Sequence, residues 1–165
     1  MATAILSAER ASVLFEYNPL TGVLTRKAQQ RNKPITSDEV SRTNGYIRIR
    51  VDGVRYAAHR VAWLLHTGQW PNGEIDHING DRSDNRIANL RDVSARTNRE
   101  NQHGPRSDNL SSGVMGVHWS AYHSKWKAHI RVGGKLKHLK YCKTQAEAEA
   151  VYLAAKRLLH KGCTI

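Results

Sequence analysis

Cysteine is nearly missing from this 165-residue chain: there are two, Cys142 and Cys163, and no Cys-x-x-Cys pair. That leaves no basis for a structural zinc site and does not demand a disulfide, so a reducing cytoplasm suits the chain. Long apolar runs are missing too. No stretch approaches the ~20 residues that cross a bilayer, and mean hydropathy is −0.61. The opening Met-Ala-Thr-Ala-Ile-Leu-Ser-Ala-Glu lacks the basic start and long apolar run of a signal peptide. No basic amphipathic helix of the membrane-surface kind stands out. Acidic residues are scarce: 14 Asp+Glu stand against 26 Lys+Arg, a net charge of +12. Such an excess calls for a polyanionic partner, most simply phosphate.

The charge is uneven. Residues 1–110 carry 16 basic and 12 acidic residues, a net of +4, whereas residues 111–165 carry 10 and 2, a net of +8. A basic module appended to a mixed-charge one is the expectation. Ser7 caps a short helix over 7–16, and the Pro19–Gly22 turn joins Leu14–Tyr17 to Val23–Arg26 as a hairpin. Residues 27–44 read as a polar loop, either solvated or touching nucleic-acid backbone through Lys27, Arg31, Lys33 and Arg42. In 45–58, Ile47, Ile49 and Val51 alternate with Tyr46, Arg48 and Arg50, and Asp52-Gly53 closes a tight hairpin. Arg48 and Arg50 thus share a face open to phosphate or solvent. Ala57–Thr67 has helical apolar spacing and a natural stop at Gly68. His59 and His66 lie on or beside it, and a helical histidine is more often a packed residue than a ligand.

The densest chemistry lies between Glu74 and Gln102. Ile75–Ile78 reads as a buried strand end, Asn79-Gly80-Asp81 as a turn, Leu90–Val93 as a second, antiparallel strand, and Ser94 as the cap of a helix over 95–102. Histidine titrates near neutrality and suits a general base. A carboxylate and an amide oxygen are hard ligands for Mg²⁺. Neighbours on a strand point to opposite faces, so Asp76 and His77 can serve one site only where the strand ends or is irregular.

Asp76-His77, Asn89-Leu-Arg and Asn98 together resemble the ββα-metal motif of the HNH nucleases, and more narrowly the phage HNH homing endonucleases, in which the last motif position is Asn. The string Ala-His-Arg-Val-Ala-Trp…Ile-Asp-His-Ile-Asn-Gly-Asp…Asp-Asn-Arg-x-x-Asn-Leu-Arg carries the resemblance. It implies His77 as general base, Asn89 fixing the loop and orienting His77, and Asp76 and Asn98 holding one Mg²⁺ or Mn²⁺. Asn101, three residues on, could take the place of Asn98. The Cys-x-x-Cys pairs of some relatives are absent, so no structural zinc is expected.

After a polar linker over 103–112, residues 113–165 read as three strands and a helix. Lys125–Val132 alternates strictly, and seven basic residues and no acid fall between Lys125 and Lys143. A sheet with one cationic face suits groove or phosphate binding. Ser-Gly-Val-x-Gly-Val-x-Trp, Lys-Trp-x-Ala-x-Ile and Ala-Glu-Ala-Glu-Ala-x-x-Tyr resemble the APETALA2-type DNA-binding domain. That implies DNA contacts from His118, Trp119, Lys125, Trp126, Lys127, Arg131 and Lys137, although Trp126 shares a face with Ile130 and could be core.

The expected fold class is α+β, with an HNH nuclease domain over 1–102 and an APETALA2-like domain over 113–165. The expected function is metal-dependent hydrolysis of phosphodiester bonds in double-stranded DNA, in the host cytoplasm if phage-encoded. A monomer would nick one strand, and a double-strand break would need a dimer or two visits. The alternatives are a non-catalytic DNA-binding regulator on the same fold and an RNA-binding protein.

Overall fold

A computed structural model describes residues 6–27, 45–105, 109 and 112–165. Most of the polar loop over 27–44, with Arg31, Lys33 and Arg42, lies outside the described residues, as does part of the 103–112 linker. The fold mixes short helices with small antiparallel sheets, in line with α+β. It divides into two compact units, 1–95 and 96–165.

The first unit opens with α1 (Ala8–Leu14), where the Ser7 hydroxyl accepts from the Arg10 amide at 3.2 Å as an N-cap. A hairpin follows, β1 (Phe15–Tyr17) against β2 (Leu24–Arg26). A second hairpin pairs β3 (Arg48–Val51) with β4 (Val54–Ala57) around Asp52 and Gly53, both at positive φ. Its buried side carries Ile49 and Val51, while Arg48, Arg50 and Arg55 are exposed. Helix α2 (Ala58–Thr67) ends on Gly68 in the left-handed conformation. It packs two ways: Ala58, Val61 and Leu64 join Phe15, Leu24 and Ile49, and Ala62 meets Ile75 and Leu90. Those last two belong to β5 (Glu74–His77) and β6 (Leu90–Val93), paired so that Asp76 faces Arg91 and His77 faces Leu90.

The second unit begins with most of α3 (Ala95–Glu100). Its sheet has the order β7 (Val117–Ser120), β8 (Lys125–Val132), β9 (Lys135–Cys142), and α4 (Gln145–Leu159) packs against all three strands. Helix α4 starts in a capping box: Thr144 accepts from the Glu147 amide at 3.2 Å, and Glu147 accepts from the Lys143 amide at 3.0 Å. The core is Val117, Ala128, Ile130, Cys142, Ala148 and Tyr152. Lys156 on α4 is 1% exposed, and its ammonium donates to the Gln102 carbonyl, so α4 is tied to the chain just beyond α3.

The expected single cationic face is not present. Register shifts between Ala128 and His129, whose partners on β9 are Lys140 and His138. The skipped Leu139 is a bulge that packs against the core. Cross-strand partners share a face, so Lys140, Lys137 and Lys135 stand with Ala128, Ile130 and Val132 on the helix side of an edge strand. The outer face keeps Lys125, Lys127 and Arg131, together with His118, His129, His138 and Tyr141.

The turn before β2 reaches the segment that matters most. Gly22 has φ of +74°, and a Cβ there would lie 2.5 Å from the Arg86 amide nitrogen and 2.7 Å from the Asn85 carbonyl carbon. Gly22→Ala combines left-handed strain with a backbone clash, so it should cost about 2–4 kcal/mol of stability. Denaturant unfolding of the variant beside the parent chain measures this, and a loss below about 0.5 kcal/mol would show that the contact is slack.

Candidate active site

Strand β5 ends at His77, and there its last two side chains diverge. Ile75 and His77 face α2, while Asp76 lies opposite Arg91 on β6. Both site residues are buried, Asp76 at 5% and His77 at 4% exposure. The Arg91 guanidinium meets Asp76 Oδ2 twice, from Nε at 2.8 Å and from a terminal nitrogen at 2.7 Å. A carboxylate buried without such a partner would lose its charge. Arg91 therefore fixes the position of the Asp76 carboxylate at the end of β5.

The loop after β5 is closed by one amide. Asn89 Oδ1 accepts from the Asn79 amide at 2.9 Å, and Asn89 Nδ2 donates to the Asp84 carbonyl at 2.8 Å. Between these ends, Gly80 takes φ of +76° and its amide donates to the His77 carbonyl at 2.9 Å. Asp84 binds the Asn79 amide group and the Arg86 guanidinium, and the pairing with Arg86 first of all holds its carboxyl down at about 2. Asp81 caps its own turn through Ser83.

This closure aims Asn85 inward. Asn85, 5% exposed, places Oδ1 3.1 Å from His77 Nε2, and its carbonyl accepts from the Tyr17 hydroxyl at 2.7 Å. The residue bonded to the His77 ring is therefore Asn85, while the hydrogen bonds of Asn89 go to the loop backbone. An amide oxygen only accepts, so Nε2 carries the hydrogen and Nδ1 is the basic nitrogen of His77.

Two more rings complete the surroundings. His59 on α2 stands edge-on to His77 with centroids 5.1 Å apart, and Tyr46 lies 5.1 Å from His59 and 5.9 Å from His77. The Arg82 guanidinium covers Tyr46 at 5.0 Å. Burial lowers the His77 pKa, opposed by its bond to Asn85 and by Asp76, Asp81 and Asp84. His59 is pushed down to about 3 by burial, then by His77, Arg60 and Arg48, so it stays neutral throughout the physiological range.

The remaining expected residues fall in the second unit. Asn98 lies on α3. Asn101 follows it and is buried, with Oδ1 accepting from the Thr164 hydroxyl at 2.6 Å and lying 3.3 Å from His103 Nε2. Among the described residues no three His, Cys, Asp or Glu side chains gather into a metal cage. A donor pair of one carboxylate and one amide oxygen does not require such a cage, and Asp76 fits a hard divalent ion.

On the sheet, His118, Lys125, Lys127 and Arg131 occupy the outer face. Trp119 and Trp126 pair on the other side with ring centroids 5.5 Å apart, and Trp126 packs against the core. Lys137, opposite Ile130, is also away from the outer face. Arg48 and Arg50 are exposed on β3, where Arg50 Nε donates to the Gly53 carbonyl at 3.2 Å.

Asn85, Arg91, His59 and Tyr46 were not assigned from sequence. Arg91 was within reach, because pairing His77 with Leu90 in an antiparallel ribbon forces Asp76 opposite Arg91. Asn85 had no such signal, since its direction depends on how the loop closes.

With this geometry in view, residues 56–101 match the HNH endonuclease family. Protein 3.8 of Escherichia phage T7 is similar to the chain, 32% identical over 78 residues that make up 47% of this chain and 63% of that protein. The chain thus spans less than two thirds of that curated relative. No solved structure matches the chain. Among the described residues no helix is long and apolar enough to cross a membrane.

The neutral His59 has a consequence for folding. Unfolded histidine takes up a proton near pH 6.5, whereas folded His59 resists until about pH 3. Below pH 6.5 the unfolded chain binds the extra proton, so this contribution is complete above 6.5 and falls by up to about 1.4 kcal/mol for each pH unit below it. Denaturant unfolding at pH 5 and pH 7 should show the loss. His59→Phe, which keeps a ring and removes the proton site, should flatten the slope by as much as one proton.

Proposed function

We propose that the chain is a metal-dependent DNA endonuclease of the homing type, with its cutting centre at Asp76 and His77 and with targeting by the sheet of residues 113–165. The observation that carries this reading is the pairing of His77 Nε2 with Asn85, which makes Nδ1 the basic nitrogen, at the end of a strand whose preceding residue is a buried carboxylate. In this mechanism His77 Nδ1 takes a proton from water as its oxygen attacks phosphorus. The bond from phosphorus to the leaving sugar oxygen breaks, and that oxygen leaves as a hydroxyl after taking a proton from solvent. Asn85 holds the ring in the correct tautomer, and Arg91 holds Asp76 in place. Asp76 and Asn98 would hold a divalent ion, Mg²⁺ or Mn²⁺, which would supply stabilisation of charge on the phosphate and on the leaving oxygen. Asn101, committed to Thr164 and His103, is left to structure.

The depressed basicity of His77 suits this role, because the ring stays unprotonated in neutral solution. One centre per chain makes a monomer a nickase. The resemblance of residues 113–165 to APETALA2-type domains supports duplex DNA as the substrate, held through His118, Lys125, Lys127 and Arg131 on the outer face, with Arg48 and Arg50 as backbone contacts in the first unit.

Incubation of supercoiled DNA with the protein and Mg²⁺ or Mn²⁺ should give nicked circles, and His77→Ala should cut about a hundred- to ten-thousandfold more slowly. Absence of nicking by the parent chain on all DNAs and with both metals would favour the regulator reading. Equal cutting by His77→Ala would reject only the assignment of the base. Lys127→Ala should weaken binding about equally on all sequences and reduce the slope of log affinity against log salt by about 1. An unchanged slope would remove Lys127 from the interface.

A further inference from the structure

The second unit holds a cleft that the cutting reaction does not use. It measures about 760 Å³ and lies among α3, β8 and the end of α4. Three arginines are among the residues that line it: Arg96, Arg99 and Arg131. Arg96 is paired with Glu100 at 3.3 Å, and Arg131 donates to the Gly134 carbonyl at 2.8 Å. Arg99 has no side-chain hydrogen bond or ion pair among the described residues. With Glu100 as the one carboxylate involved, the lining keeps an excess of positive charge.

Two of the lining residues carry an unsatisfied atom. The Nδ1 atoms of His129 and His160 are buried and have no hydrogen-bond partner. His160 Nε2 lies 3.0 Å from the Arg131 carbonyl, which can only accept, so Nε2 carries the hydrogen and Nδ1 is a lone pair in want of a donor. Burial lowers the His129 pKa, reinforced by His118, Lys127 and Arg131. Buried polar atoms left unpaired are uncommon and point to a missing partner. The rest of the wall is apolar, with Ile130, Tyr152 and the 56%-exposed Leu136.

We propose that this cleft is a binding site for a single nucleotide unit, with phosphate on the arginines and base or sugar against the apolar wall, where an N–H or O–H donates to His160 Nδ1. Three properties select a nucleotide. The volume falls in the range of small-ligand pockets. The arginine cluster suits phosphate, for which guanidinium is the preferred donor. The apolar wall and the bare imidazole nitrogen have no use for phosphate alone. The ligand is either a free mononucleotide or the 5′-phosphorylated end of a DNA strand, since both present the same group. The site is independent of the cutting centre and stands whether or not residues 76 and 77 cleave.

Calorimetric titration of the full chain without divalent metal tests the proposal, using the four deoxynucleoside 5′-monophosphates, inorganic phosphate and a 5′-phosphorylated single-stranded hexanucleotide. Binding of a nucleotide or the hexanucleotide at least tenfold tighter than phosphate is expected. Arg99→Gln and His160→Phe should each weaken it about tenfold, as expected for the loss of one charge-assisted or buried hydrogen bond. Leu136→Glu, at an exposed position that folding does not require, should weaken it as well through like charge. Tight binding of mononucleotides identifies the free ligand, whereas binding of the hexanucleotide alone identifies the strand end. Equal affinity for phosphate and nucleotide, with His160→Phe and Leu136→Glu silent, would overturn the nucleotide assignment. Binding that none of the three variants changes, or no binding at all, would overturn the site.

Discussion

Asn89 gives both ends of its amide to the loop between β5 and β6, one to the Asn79 amide and one to the Asp84 carbonyl. A segment of this kind has many ways to lie and little apolar surface to choose among them. Two hydrogen bonds of about 1 kcal/mol each would not hold it alone. They act together with the β5–β6 ladder on one side and the Tyr17 hydroxyl on the other, so the loop has one closed form. Everything placed by that form follows from it. Asn85 turns inward to His77, Asp84 is clamped by Arg86, and Asp76 is left to Arg91.

The hairpins around this loop serve as its supports. Residues 15–26 do little for the core beyond Phe15 and Leu24, yet their turn lies directly on the Asn85–Arg86 backbone, where the Ile87 amide donates to the Pro19 carbonyl at 3.1 Å. Helix α2 joins the first unit's larger core to the small cluster under β5 and β6, and it carries His59 to the edge of His77 on the same face. A neutral imidazole and a phenol in those places add bulk and no charge beside His77.

Much of the fold was legible in the sequence because it rests on local chemistry. Asp52-Gly53 can make one kind of turn, Gly68 one kind of helix stop, and the alternation of Lys125–Val132 one kind of strand. The site was legible where a strand register fixes neighbours, as at Asp76 and His77. What escaped depends on tertiary choices with no local signature. Asn85 looks like any loop asparagine until the loop is closed. The Leu139 bulge replaces an alternation that the residues of β9 carry with equal ease, and it moves Lys135 and Lys137 to the other face. Lys156 reads as a solvated helix position, yet the packing between α4 and the segment beyond α3 encloses it.

Helix α3 carries Asn98, but what holds it comes from the far end of the chain. Gly162 packs so closely on Thr97 that any larger residue would strike its carbonyl, Thr164 binds Asn101, and Lys156 binds Gln102. In terms of gene shuffling, this places the junction at which one C-terminal unit could be exchanged for another. A recombination event at the linker near residue 103 would join a new sheet to a helix stripped of its anchors. A junction before Ala95, where the two compact units divide, would deliver the helix together with the residues that hold it. The unit of inheritance would then include Asn98.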